Sequence, residues 1–346
     1  MSFLSSVSAI PAKNNYSLDS VCEAAKLWLH DKPSEYELFQ RFHRASGTKN
    51  RSYVLSLQEI LSLESQAERA MMFVKHGLPL ACQAIELSLD KAQLTPKDIS
   101  SVVFTSCTCP LIPSLDTEIL QRMGFAPTVN RIPMYQQGCA GGVVGLSLAD
   151  RLSKQEGNVL LISVELCSLL FRLKESSTVH LLGSALFADG AAASVVSQRD
   201  SGLKFLGAQS YLLPETGHLM GYDIRADGAH LKLDRDLPAM LQDSLKKVVD
   251  QFLSSLGLKQ SDFPWWVIHP GGVKILDGVA NLLELKEEQY KWSYDVLSKV
   301  GNMSSATVQF VLSDCIASGV VEQKDRVMMI GIGPGLTVEL IAFENA

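Results

Sequence analysis

The chain has 346 residues, 47% hydrophobic and 20% charged, enough apolar material for two cores, and its length points to two domains or one large internally repeated unit. A formal net charge of −6 argues against general nucleic-acid binding, which needs a basic face, and no apolar run approaches the roughly 18 residues of a membrane span. Met1–Lys13 has neither the basic start nor the apolar stretch of a secretory signal, and seven scattered cysteines fit free thiols in a reducing, cytoplasmic compartment.

In chain order, Ser101–Ser106 (SVVFTS) reads as a buried strand. Cys107-Thr108-Cys109 follows, too tight for the usual zinc pair and without a second Cys/His pair at ligand spacing, so no metal site is expected. Ser114–Met123 has helical patterning. Val129–Met134 is strand-like and leads into Gln136-Gln137-Gly138-Cys139-Ala140-Gly141-Gly142, then a helical run over Ala140–Ser153. Cys139 thus falls on a strand-to-helix turn, where unpaired N–H groups and the positive end of the helix dipole favour a thiolate and a lowered pKa. The competing reading is a buried structural cysteine beside a tight glycine turn. A dinucleotide loop fits less well, because GCAGG is not GxGxxG.

Asn158–Val164 (NVLLISV) is a second buried strand, and the polar Gln198–Gly202 (QRDSG) is the weakest seam, which divides the chain into 1–200 and 201–346. The second unit repeats the theme. Pro238–Leu256 predicts a helix, Trp265–Ile268 a strand and Met303–Ser318 another helix; Arg326–Ile330 and Leu336–Phe343 are strands around a Gly-Ile-Gly-Pro-Gly turn. This is α/β patterning, with sheets covered by helices. His269 ends its strand ahead of Pro270-Gly271-Gly272, and Asn302 stands between Gly301 and a helix. Each alone is also explained by a structural histidine or a helix cap.

Together these segments are more specific. Gly138-Cys139-Ala140-Gly141-Gly142, His269-Pro270-Gly271-Gly272 and Gly301-Asn302-Met303-Ser304-Ser305-Ala306 occur with Leu186-Phe187-Ala188-Asp189-Gly190 and Gly331-Ile332-Gly333-Pro334-Gly335. In order and spacing, from about Glu37 to Phe343, they resemble the chalcone synthase family, the type III polyketide synthases, of the thiolase superfamily. The resemblance implies a thiolase-like αβαβα sandwich made of two similar halves, the first carrying the nucleophile and the second the histidine and asparagine. It further implies a homodimer working on malonyl-CoA and an acyl-CoA starter, with no cofactor beyond the CoA thioesters themselves.

On this resemblance Cys139 is the nucleophile, and His269 and Asn302 hold the malonyl thioester oxygen. Phe187 matches a gatekeeper between CoA tunnel and cavity. Leu231 falls at the second gatekeeper position, where an aromatic is expected. Arg41 matches a CoA-phosphate arginine, although the flanking lysines are replaced by Leu38 and Ala45. Cys107 and Cys167 fall on the cavity wall, their surroundings resembling the bacterial members, and Ser304 joins them as a substrate-binding position. Ile112 falls where a family residue crosses the dimer interface.

Three rival readings stand beside this one. A ketoacyl synthase III of fatty-acid initiation shares the triad, but His269 is followed by Pro-Gly-Gly rather than Gln-Ala-Asn. A non-catalytic acyl-CoA-binding relative, or a Cys–His–Asn hydrolase, would be separated by a malonyl-consumption assay.

Overall fold

The computed structural model describes residues 1–172, 175–225 and 228–346. Its strands, in chain order, are β1 (Phe3–Pro11), β2 (Asn14–Ser17), β3 (Asn50–Tyr53), β4 (Ile99–Thr105), β5 (Asn130–Met134), β6 (Asn158–Leu166) and β7 (Asp189–Ser197). They continue with β8 (Leu203–Leu212), β9 (Met220–Arg225), β10 (Gly228–Leu233), β11 (Trp265–Ile268), β12 (Arg326–Gly333) and β13 (Thr337–Asn345). Nine of them form one sheet in the order β11-β12-β13-β8-β1-β7-β6-β4-β5. β4 runs parallel to β5 and β6, and β11 parallel to β12, whereas the remaining pairs are antiparallel. Every strand of this sheet that precedes residue 200 lies on one side, every later one on the other, and Phe3 and Leu4 of β1 join them to β8.

Side-chain alternation along these strands sorts the apolar residues into layers. Leu160, Ile162 and Val164 of β6 face one core, with the helix Gln66–Ala92, whereas Val159 and Leu161 face a second. Val327 and Met329 of β12 face that same second core, while Met328 and Ile330 face a third with the helices Leu237–Ser255 and Val273–Leu282. The second core also holds Val143 and Leu146 of the helix Gly141–Glu156 and Val308 and Val311 of the helix Thr307–Ala317. Helices therefore lie outside, between and outside again: the thiolase-like αβαβα sandwich. Strands covered on both faces need apolar residues at successive positions, which is why β6 reads as a continuous run.

The middle helices bury mainly small and apolar residues, while Arg151 and Lys154 of the first and Asp314 of the second stay exposed. Gln309 is itself buried and hydrogen-bonded at both ends of its amide: its Nε2 donates to Ser163 Oγ at 2.6 Å and its Oε1 accepts from Ser194 Oγ at 2.6 Å. Gly142 permits the closest approach between the two middle helices, because a Cβ there would lie 2.3 Å from the Ser305 carbonyl oxygen.

Most expected elements occur within a few residues of their expected ends. Two differences have local causes. The expected helix Met303–Ser318 opens as a 3₁₀ turn, Ser304–Ala306, because Ser304 adopts φ +46°. The 27-residue helix Gln66–Ala92, for which the sequence reading offered no element, carries Gly77 and Pro79 in its interior. Among the described residues, no helix is long and apolar enough to cross a membrane.

Candidate active site

Cys139 stands on a single 3₁₀ turn, Gly138–Ala140, between β5 and the helix Gly141–Glu156. The turn is pressed from above by the β12–β13 connection: a Cβ on Gly138 would lie 2.6 Å from Pro334 Cγ. The thiol is half-buried, with its Sγ 3.6 Å from Ser304 Oγ. Ser304 Oγ lies also 3.3 Å from Cys107 Sγ, so one hydroxyl joins two thiols.

Behind them is Glu165, fully buried at the end of β6. Its carboxyl accepts the Cys107 backbone N–H at 3.1 and 3.2 Å and the Ser305 hydroxyl at 2.5 Å. Burial pushes this carboxyl up to about 7, with those hydrogen bonds opposing the shift. Asp189, at the start of β7, is a second buried carboxyl, raised to about 6 by burial. It accepts from Ser168 N at 2.7 Å, Ser168 Oγ at 2.5 Å and Val54 N at 2.8 Å, and so ties three segments of the cavity wall.

Asn302 is held by backbone on both sides. Its N–H donates to Leu186 O at 3.0 Å, and its carbonyl accepts the Ala188 N–H at 2.8 Å. Gly301 makes this docking possible: its φ is +91°, and a Cβ would lie 2.7 Å from Ala188 Cβ. The side-chain oxygen accepts from Ser304 N at 2.9 Å and Thr307 Oγ1 at 3.1 Å. A backbone N–H can only donate, so the amide is fixed with its oxygen inward and Nδ2 left to donate elsewhere.

His269 continues β11 and donates its backbone N–H to Ile330 O at 2.8 Å. Its ring is 1% exposed, and neither ring nitrogen has a hydrogen-bond partner among the described residues. Burial lowers its pKa to about 4. The following loop packs on the segment that holds Asn302, since a Cβ on Gly272 would touch Leu186 at 3.3 Å. A buried imidazole with two idle nitrogens is costly unless something enters to use them.

Cys107, Cys139, Cys167, Phe187, Leu231 and Ser304 all line one cavity. Leu231 lies over Gly183, where a Cβ would meet it at 2.7 Å and the Phe187 ring at 3.7 Å, so the two expected gatekeepers flank the same glycine. His269 and Asn302 are not among the described residues lining the cavity, and each is 1% exposed. Arg41 is elsewhere, exposed on the helix Pro33–Ala45 and sharing a surface groove with Arg44, its guanidinium 5.9 Å from the Phe42 ring centre. Ile112, expected at an interface, is 99% exposed.

The expected thiolate is not what the helix start alone produces. Burial pushes the Cys139 thiol up to about 11, with the Glu165 charge adding and the Ser304 hydroxyl opposing. Burial alone likewise favours a neutral His269. Sequence reasoning also passes over Glu165, Asp189 and Tyr222. Glu165 had a signal, a lone carboxyl in Val-Glu-Leu-Cys at the end of an otherwise apolar strand. Tyr222 had none, since its approach to the cysteines depends on how β9 folds over the cavity.

Fold and site together define a thiolase-type α/β enzyme with a cysteine at the start of a middle helix. The family model for chalcone and stilbene synthases, N-terminal domain, matches residues 30–200, and the C-terminal domain model matches 204–345. The chain therefore belongs to the chalcone and stilbene synthase family. It is 35% identical over 312 residues, 88% of this chain and 82% of the relative, to a 1,3,6,8-tetrahydroxynaphthalene synthase of Streptomyces peucetius. It is 28% identical to a putative chalcone synthase of Bacillus subtilis, covering 99% of this chain and 98% of that one. The crystal structure of a bacterial type III polyketide synthase, 1,3,6,8-tetrahydroxynaphthalene synthase of Streptomyces coelicolor, superposes with a TM-score of 0.94 at 29% identity, over 99% of both chains. A type III pentaketide synthase from Neurospora crassa, at 24% identity and a TM-score of 0.90 over 100% of both chains, supports the fold alone.

Proposed function

We propose that Cys139, His269 and Asn302 are the catalytic residues of a type III polyketide synthase that extends a Cys139-bound acyl group with malonyl-CoA. The observation that carries this reading is the Asn302 amide, locked oxygen-inward beside a serine that touches the Cys139 thiol.

Buried alone, the thiol and the imidazole are each pushed toward neutrality. Brought together, they gain by trading the proton, because each new charge compensates the other in surroundings that disfavour an isolated charge. The resulting thiolate attacks the acyl-CoA carbonyl, and CoA leaves as its thiol. When malonyl-CoA enters, N–H donors from His269 and Asn302 hold the thioester oxygen as CO₂ departs and stabilise the enolate. That carbanion attacks the Cys139 thioester and lengthens the chain by two carbons. The chemistry asks for no cofactor beyond the CoA thioesters.

Arg41, with Arg44 beside it, serves the CoA phosphates at the surface, where a guanidinium fork suits the ligand. Phe187 and Leu231 form the passage from there, and Cys107, Cys167 and Ser304 shape the wall. In this reading 1–200 supplies the nucleophile and 201–346 the two donors, in a homodimeric enzyme. Asn302→Ala is expected to slow CO₂ release from malonyl-CoA about 100–1000-fold, the usual consequence of losing one oxyanion donor. Unchanged decarboxylation in that variant sinks the assignment.

A further inference from the structure

The cavity that holds Cys139 continues well beyond the groups the reaction uses. Val21, Ala24, Ala25 and Trp28, one face of the helix Leu18–Trp28, line it over ~10 Å. Across from them stand Leu57, Ile60 and Leu61 of the helix Leu57–Ser62. Trp28, Phe39, Phe171 and His180 gather on this arm, with ring centres 4.6 Å apart for Trp28–Phe171, 5.8 Å for Trp28–Phe39 and 5.0 Å for Phe171–His180. The His180 Nε2 lone pair is already taken by the Arg172 backbone N–H at 3.3 Å, so that nitrogen is not offered to a ligand.

We infer that this arm receives the unbranched alkyl chain of an aliphatic acyl starter while its carbonyl is a thioester on Cys139. The inference rests on the proposed role of Cys139 and names the starter class that reading leaves open. Three features select an alkyl occupant. No lysine, arginine or carboxylate is among the described residues lining the cavity, so the CoA phosphates have no partner there. The arginines that suit them, Arg41 and Arg44, are exposed on the helix whose buried Phe39 faces the arm. A polyketone chain would bury a carbonyl at every second carbon against aliphatic and aromatic walls, and each unpaired carbonyl is costly. A chain of methylenes has no such demand. The acyl group passes from the CoA sulfur to the Cys139 sulfur, the CoA thiol leaving with the proton Cys139 gives up.

The test uses the full chain with malonyl-CoA and a series of saturated acyl-CoAs from acetyl to palmitoyl, with products read by mass spectrometry. The value of kcat/KM is expected to rise about fourfold per added methylene until the arm is full, then to stop rising. Most of the gain falls in KM, because contacts remote from the reacting carbonyl bind ground and transition states alike. Ala25→Phe is expected to move the best chain length down and Trp28→Ala to move it up. A flat profile across the series overturns the inference, as does an unmoved optimum in both variants when each is folded by circular dichroism. Failure with every starter, malonyl-CoA and aromatic acyl-CoAs included, would instead count against Cys139 as the nucleophile. Turnover of malonyl or aromatic starters with no alkyl length dependence leaves the enzyme assignment intact and removes only the arm's role.

Discussion

The thiol of Cys139 and the imidazole of His269 meet opposite pressures from the same cause. Burial raises one to about 11 and lowers the other to about 4, so each is neutral unless the thiol's proton passes to the imidazole. The pairing has a direct signature in the pH dependence of alkylation by iodoacetamide. In the wild type the rate is expected to level off well below pH 9; in His269→Gln the inflection moves up toward the value that burial imposes. An identical profile in the two proteins means that the groups do not share a proton. Glu165 makes a separate prediction. A carboxyl raised from 4.5 to about 7 binds more protons folded than unfolded across that interval. It therefore stabilises most below pH 4.5, and this contribution is lost as the pH rises to 7. Glu165→Gln stays neutral throughout and is expected to gain up to about 3 kcal/mol on the wild type over that window, read from urea melts at several pH values. A pH-independent difference would mean that Glu165 titrates alike in the folded and unfolded chains.

At the scale of elements, the segment Ala185–Ala188 mounts both Phe187 and Asn302. Arg51 supports it from behind: fully buried, its Nη2 donates to the Ala185 carbonyl and, at 3.4 Å, reaches Ser46 Oγ. Its Nε and Nη1 have no partner among the described residues. An incompletely paired buried guanidinium is an expensive way to hold a segment, and replacing such a group by an apolar one of similar length is often neutral or stabilising. Arg51→Met is accordingly expected to keep or raise the melting temperature while lowering CO₂ release roughly 10–100-fold, as Asn302 loses its fixed position. Full activity in that variant would show that the segment holds itself. The sequence revealed the elements that carry their own chemistry: Trp265–Ile268 is found with both ends as expected, because Phe-Pro precedes it and His-Pro-Gly-Gly follows. The helix Gln66–Ala92 was hidden, since tertiary packing of Ala81, Ile85 and Leu89 outweighs Gly77 and Pro79.

At the scale of the molecule, two sets of strands share a middle layer of helices, and the starts of those helices hold the candidate catalytic residues. Cys139 lies just ahead of one middle helix, and Asn302 ahead of the other. Their residue types and neighbours were legible in the sequence because glycines and a proline surround them for backbone reasons. The raised thiol pKa was not, because burial outweighs the helix start and is invisible in a local window. Glu165, Asp189 and Arg51 escaped for the same reason: a buried charge looks like a surface one until the fold encloses it. The direct test of the whole account is intact-protein mass spectrometry after mixing with an acyl-CoA and then malonyl-CoA. One acyl group should appear on Cys139, then grow by successive two-carbon units, and both signals should vanish in Cys139→Ala. An adduct that maps to Cys107 or Cys167, or one that never grows when malonyl-CoA is added, would contradict it.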